Sequence, residues 1–337
     1  MREQTLRLRK LCLLLCGIFS ASNLLAEAAE SGKAYRIGYL SSASASSPAN
    51  DSALNAFWQG LRELGYTEGQ NIFIEYRYAD GRPEQLSPLA AELVRLNVDV
   101  IVARPQPPTI AAAQRATRTI PIVMLGSVVD PVEAGFVASL ARPGANITGL
   151  TNLDSQLHGK RLEVIKETFP RVSRIAILWP EPQQKQAANA IEAARKALGV
   201  QIHSVFVPSN LGLDGLDRAL SEIGSERPDA LLVASSQVIV QYRSRVIDFA
   251  AKKRLPTMYA HSEYVIAGGL MSYGTNFNDL HHRAATYVDK ILKGAKAADL
   301  PVEQPQKFEF VINLKAAKQI GLKIPPNVLA RADKVMK

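Results

Sequence analysis

From residue 35 onward, short apolar runs alternate with longer stretches whose apolar positions recur every three or four residues. "RIGYLS" (36–41), "VDVIVA" (98–103) and "IPIVMLG" (120–126) are continuous apolar runs, the pattern of strands covered on both faces. "NIFIEYRYA" (71–79) alternates instead. Between these runs, "DSALNAFWQGLRELGY" sets Leu54, Phe57, Trp58, Leu61 and Leu64 at helical spacing, with Asp51 or Ser52 as a cap and Gly65 as a stop. Leu86, Leu89, Ala90, Leu93 and Val94 mark a second helix and "TIAAAQRAT" a third; a segment of helical character also follows Asp130-Pro131. Strand and helix in regular alternation predict a parallel sheet with helices on both faces.

The series then restarts. "RIAILWP" (174–180), "VQIHSVFV" (200–207), "DALLVAS" (229–235) and "PTMYA" (256–260) read as strands. Helices are predicted around 187–198, 213–223 and 241–253. Two strand–helix series of similar length predict an α/β protein of two doubly wound, Rossmann-like lobes, although no sequence repeat relates them. "ARPGANITGLTNLD" (141–154) reads as the first passage between the lobes. A helix over 281–293, the strand "FEFVIN" (308–313) and "LKAAKQIG" come last, so the chain crosses back between lobes. No long Gly/Ser or Pro-rich linker intervenes, which favours a short, directed hinge.

Composition changes this picture at one end only. Of 337 residues, 47% are hydrophobic and 21% charged, which is ordinary for a globular protein and argues against extensive disorder. The first thirty residues differ: Arg2, Arg7, Arg9 and Lys10 precede an apolar stretch from Leu11 to Phe19, and Ala26-Glu27-Ala28 offers an A-x-A cleavage site. That is the layout of a secretory signal peptide over residues 1–28, and the apolar run is shorter than the ~20 residues that span a bilayer. Both cysteines, Cys12 and Cys16, fall inside it, and Leu15 stands where lipid attachment at Cys16 wants a small residue. Its loss removes four basic and two acidic residues, taking the formal charge from +9 to +7. The remaining basic residues are scattered among acids with no stripe interleaved with aromatics, so a solvated basic surface fits better than a nucleic-acid partner.

In open parallel sheets, ligands sit beyond the carboxyl ends of the strands. Those ends carry Ser41 and Ser42, Arg104 through Thr109 with Gln106 between, Ser127 and Asp130, then Trp179, Ser235, Ser236, Gln237 and Tyr259. Tyr273 follows a later apolar run. These hydroxyls, amides and aromatics suit hydrogen bonding and stacking. Asp130 has two readings, a cap on the next helix with Pro131 in its first turn or a holder of a ligand amino group or hydroxyl, and one residue can do both. Trp179, Tyr259 and Tyr273 are either core or stacking surfaces. The five histidines stand in no metal-ligand motif, and His281-His282 reads as a surface pair. The chain lacks a G-x-S-x-G elbow, a P-loop and a dinucleotide fingerprint, so no cofactor and no catalytic residue is implied.

"GLRELGYTEGQNIFIEYRYADGRPEQL", "DPVEAGFVASLARPGANITGLT", "GKRLEVIKETFP", "GGLMSYG" and "YVDKILKGAKAADLPVEQPQKFEFVINLKAAKQIGL" resemble, in content and order, the ABC-transporter substrate-binding proteins of the tryptophan/tyrosine type. The likeness runs from about Ala34 to the C-terminus. It implies a type I periplasmic-binding-protein fold with a three-crossing hinge and a cleft that closes on a small molecule. It also implies partners on other chains, a permease and its ATPase, with the carrier a monomer in the periplasm. Ser41, Ser127 and Asp130 match the family's first-lobe cleft positions, Asn152 lies beside the crossing, and Trp179, Ser235 and Ser236 stand at second-lobe strand ends. One departure stands out. Where the family commonly shows a Gly-Thr-Pro turn, this chain has "RPQPPT" (104–109), whose prolines remove backbone donors and whose Arg104 is a bidentate partner for an anion if it points inward. A periplasmic sensor module is an alternative on the same fold, and a two-lobed transferase a more distant one.

Overall fold

The computed structural model describes residues 34–337 apart from 47, 153, 181–183, 209–210 and 235. The leader-like segment 1–28 and Ser235 therefore lie outside the described residues. In the first sheet, β1 (Tyr35–Ser41), β2 (Ile72–Tyr78), β3 (Val100–Ala103), β4 (Ile122–Ser127) and β5 (Ile147–Thr151) run parallel in the order β2-β1-β3-β4-β5. The connecting helices α1 (Pro48–Glu63), α2 (Leu86–Arg95) and α3 (Pro107–Ala116) cover both faces. Phe57 and Leu61 of α1 pack on Ile37, Val100 and Val123, whereas Leu86, Leu93 and Ile110 pack on the opposite face with Ile101 and Met124. Continuous apolar strands are thus the consequence of a sheet buried on both sides.

The second sheet repeats the order. β6 (Arg174–Pro180), β7 (Gln201–Val207), β8 (Ala230–Val233), β9 (Thr257–Tyr259) and β10 (Met271–Thr275) align as β7-β6-β8-β9-β10. β11 (Phe308–Asn313) joins β10 antiparallel, and β12 (Lys334–Met336) completes that edge. The helices that follow the first sheet are α4 (His158–Thr168), α5 (Gln184–Leu198), α6 (Gly212–Glu226), α7 (Gln237–Gln241), α8 (Arg243–Lys252), α9 (Ser262–Ile266), α10 (Phe277–Leu292), α11 (Leu314–Gln319) and α12 (Pro326–Leu329). All but α10 serve the second sheet. α10 returns to the first, where Leu280, Ala284 and Val288 share a core with Phe57 and Leu61 of α1.

The chain therefore passes between the sheets three times: after Thr151, between Thr275 and Phe277, and between Leu292 and Phe308. The third passage is tied to the first, because Glu303 donates its N–H to Gly149 O (3.0 Å) and its carbonyl accepts from Thr151 N (3.0 Å). This is the two-lobed, doubly wound architecture with a three-crossing hinge.

Several local differences from the sequence pattern have physical causes. Residues 147–151, read as connection, form the edge strand β5. Its signature is broken by Gly149, held at φ +127° where an added Cβ would lie 2.4 Å from Met124 O, and the register shifts further along, between Leu125 and Ser127 of β4. The segment after Asp130-Pro131 is a run of turns and not a helix. α1 begins at Pro48, so Asp51 and Ser52 lie within it, and the predicted helix over 241–253 breaks at Tyr242 into α7 and α8. α10 starts four residues earlier than expected because Asn276 caps it, its side-chain oxygen accepting from Asp279 N at 3.0 Å.

At Gly60 the helices α1 and α10 approach so closely that a Cβ would meet His282 O at 2.5 Å and Ala285 Cβ at 2.8 Å. Gly60→Val forces backbone apart and should destabilise the fold by about 1–3 kcal/mol. Urea unfolding checks this; an unchanged midpoint would show that α10 does not seat on α1 as described.

Candidate functional site

An order of 2-1-3-4-5 in a doubly wound sheet places a switch point between its first and third strands, where neighbouring connections leave in opposite directions and open a crevice. Here the switch points are β1/β3 in one sheet and β6/β8 in the other. The first two passages leave from the carboxyl ends of β5 and β10, so the carboxyl edge of each sheet is the one that leads into the hinge.

At the first switch point, Ser41 is fully buried and its Oγ accepts from Ala43 N (3.1 Å). Ser42 donates a long 3.5 Å hydrogen bond to Gln106 Oε1, and Arg104 N donates to Leu40 O, so the β1 and β3 ends form one wall. Arg104 is buried, as is Thr109 in the first turn of α3, whose Oγ1 has no partner. Ser127 spends its hydroxyl on Val129 O (2.8 Å). Asp130 Oδ1 accepts from Val132 N (2.8 Å) and Glu133 N (3.2 Å), capping a turn where a helix was expected. Asp130 also lines a solvent-open crevice with Val128, Val129, Pro131, Thr151 and Gln156. Asn152 N donates to Ser127 O (3.0 Å), while its buried Nδ2 is unpartnered.

The second-sheet candidates are not brought together in the same way. Trp179 is 0% exposed in an apolar core; its indole N–H donates to Ser204 Oγ (3.2 Å) and its ring meets His158 edge-on at 4.7 Å. Tyr259 is likewise core, stacked on Tyr264 at 4.9 Å. Of the two readings open for these rings, burial is the one the structure shows, because both project from strands whose faces are covered by helices. Tyr273 is half-buried and packs on Phe308 and Phe310. Ser236 caps α7, accepting from Ile239 N (3.2 Å), and Gln237 opens that helix.

Five polar residues at the hinge were not among the site residues read from the sequence. Arg161 is fully buried and donates from Nη2 to Asp154 Oδ1 (2.5 Å) and Ala260 O (3.3 Å), and from Nε to Tyr273 O (2.7 Å). His158 Nδ1 lies 3.3 Å from Arg161 Nη1, and buried His261 meets Phe277 edge-on at 4.6 Å. Thr275 Oγ1 closes the group by donating to Asn152 O (2.7 Å). Burial alone would raise the Asp154 pKa; the Arg161 guanidinium more than reverses this and holds the carboxyl well below its ordinary range. Burial first, and then Arg161, lower His158 to about 3. Burial and the charge of Arg104 lower His281 to about 3 as well, so His281, read as a surface residue, is a neutral buried group. Of the His281-His282 pair, His282 alone reaches the surface, where it meets Glu63 at 2.8 Å. The available signal was the spacing of Asp154, His158 and Arg161, which places three polar residues on one face where apolar ones are expected.

The profile of the family "ABC transporter substrate binding protein" matches residues 42–336. The chain belongs to this family. Its members are extracytoplasmic solute-binding components of ABC transporters. Among relatives of this substrate-binding protein is the tyrosine-binding protein of Clostridioides difficile (strain R20291), 27% identical over 277 residues, 82% of this chain and 78% of that one. The ABC domain from Streptococcus pneumonia in complex with L-Trp matches with a TM-score of 0.80 at 26% identity, covering 90% of this chain and all of that one. A conserved domain protein from Vibrio cholerae matches with the same TM-score and coverage at 30% identity.

Two predictions follow from the hinge cluster. Arg161→Met leaves Asp154 buried and unpaired, and should cost about 3–5 kcal/mol in urea unfolding; a cost under about 1 kcal/mol would show that the pair carries no such role. The depressed histidines give a pH dependence of fixed sign. Between about pH 3 and 6.5 the unfolded chain binds protons that folded His158 and His281 do not, so stability rises with pH across that window. Moving from pH 7.5 to 5 should cost on the order of 2 kcal/mol per histidine. A stability unchanged between these two pH values would contradict the neutral, buried state of both rings.

Proposed function

We propose that this substrate-binding protein is exported, loses residues 1–28, and delivers a small solute to a permease and its ATPase on other chains. The lobes are residues 33–150 with 274–302, and 151–273 with 303–337. The solute binds between them and stabilises the closed arrangement. Only contact with both lobes can do this, since a ligand shifts an equilibrium by its differential affinity for the two states. The single observation behind this reading is the pair of switch points on two sheets whose carboxyl edges both lead into a hinge of three passages.

Ser41, Ser42, Gln106, Thr109, Ser127 and Asp130 form the first-lobe wall in this proposal, Asn152 stands beside the first passage, and Ser235, Ser236, Gln237 and Tyr273 form the second wall. Asp130 holds and does not catalyse: one carboxylate oxygen is committed to two backbone amides, which suits fixing a ligand amino group or hydroxyl better than moving a proton. The protein is accordingly a monomeric carrier and not an enzyme. Relatives named for tyrosine and crystallised with L-Trp put aromatic amino acids first in the solute class, with small organic acids next.

A thermal-shift screen of the mature chain against the amino acids, small aromatic and aliphatic acids and sugars tests this. A solute at 100 times its Kd should add about 2.7 kcal/mol, enough to raise the melt by several degrees. Mass spectrometry of the recovered solute should return it unaltered. A melt moved by no solute, or a solute converted on incubation, refutes the carrier reading.

A further inference from the structure

Among the described residues two arginines are buried, Arg104 and Arg161, and they differ in one respect. Arg161 is surrounded by carbonyls and a carboxylate. Arg104 is only 7% exposed, yet its Nε and Nη1 have no hydrogen-bond partner, and no carboxylate among the described residues pairs with it. A guanidinium withdrawn from water without a counter-charge is a standing cost to the fold, and such groups are otherwise paired.

Its position is informative. Arg104 follows β3 at the β1/β3 switch point, and alternation along the strand puts it on the face of Val100 and Val102, toward Tyr39 of β1 and the first turns of α10. There the Tyr39 hydroxyl is buried against the Arg104 guanidinium, a neutral neighbour that brings no counter-charge. Burial raises the Tyr39 pKa, and the positive charge of Arg104 pulls it the other way. His281, neutral for the reasons given above, adds no negative charge. Beyond Arg104, buried Thr109 brings an unpartnered hydroxyl.

The helix start beside it offers no substitute. Pro107 and Pro108 occupy the first turn of α3 and have no N–H, and the amides of Thr109 (3.0 Å) and Ile110 (3.3 Å) both donate to Gln106 O. An anion at this mouth therefore meets no free first-turn amides of the sort that hold anions at other helix starts. The positive charge available to it is the guanidinium.

We propose that Arg104 binds the carboxylate of the transported solute, which makes the cargo an organic acid or an amino acid held by its acid end. The inference rests on the carrier reading above. The uncompensated cation is then the empty half of an ion pair whose other half arrives with the cargo, and the Tyr39 and Thr109 hydroxyls are donors for the remaining carboxylate lone pairs.

Calorimetry on the full chain, wild type, Arg104→Met and Arg104→Lys, tests this with matched solutes: tryptophan, tyrosine, leucine and glutamate, each beside its decarboxylated amine and its deaminated acid. In the wild type, acid-bearing solutes should bind and the matching amines should not. Arg104→Met should weaken the acid-bearing solutes at least about 30-fold, and Arg104→Lys should restore part of the loss. The empty Arg104→Met protein should melt about 3 °C higher than the wild type, because the unpaired charge is gone. An amine or a sugar bound as tightly as any acid overturns the proposal while leaving the carrier reading intact. So does Arg104→Met binding acids unchanged, or inorganic phosphate as the sole ligand. If Arg104→Met does not fold, the acid-against-amine comparison on the wild type decides alone. Binding by no solute in the set or in the wider screen overturns both readings.

Discussion

The guanidinium of Arg161 stands where the first and second passages between the sheets come together, and its hydrogen bonds hold them there. It takes Asp154 from the first passage, Tyr273 O from the strand that leads into the second, and Ala260 O from the end of β9. In water such a group gains little from one carboxylate, but in a sealed interior each bond is strong and each missing partner costly. The arrangement leaves the guanidinium satisfied and the passages fixed relative to one another. An added Cβ at Gly274 would lie 1.9 Å from Ala260 O, so strands β9 and β10 also approach closely here. A hinge built this way bends around a defined locus and does not swivel as a loose tether would.

The contrast between the two buried arginines separates structure from use. Arg161 lies on a helix and Arg104 just past a strand end, and both have lost most of their water. One is balanced within the chain and the other is not. A folded protein tolerates an unbalanced charge when it gains something elsewhere, and functional sites are where such imbalance is found. Placed at a switch point, this imbalance faces the side of the sheet that the topology opens to a small molecule.

Much of this architecture was legible in the sequence because burial on both faces imposes continuous apolar strands, and "VIVA" or "RIAILW" admits few other readings. The harder parts were hard for physical reasons. β5 is interrupted by a glycine needed for close approach to β4, which hides its strand pattern. α4 carries Asp154's partner Arg161 on its inner face, so a position that should look apolar looks solvated. Trp179 sits at a strand end, where a ring can turn either to the core or to the gap, and nothing along the chain encodes which. Arg104 was visible as an odd residue in the 104–109 loop; that it is buried without a counter-ion is a fact of three-dimensional packing alone.

α10 also has a temporal consequence. It completes the first sheet's core although the whole second series of strands is threaded before it: Tyr66 donates to Asp289 across 223 residues, and Glu63 meets His282 across 219. Contacts of such separation form late and slowly, since loop closure must precede their reward. The first lobe thus stays unfinished on the ribosome until nearly the entire chain has emerged. The N-terminal half of the chain alone cannot close the first lobe's core.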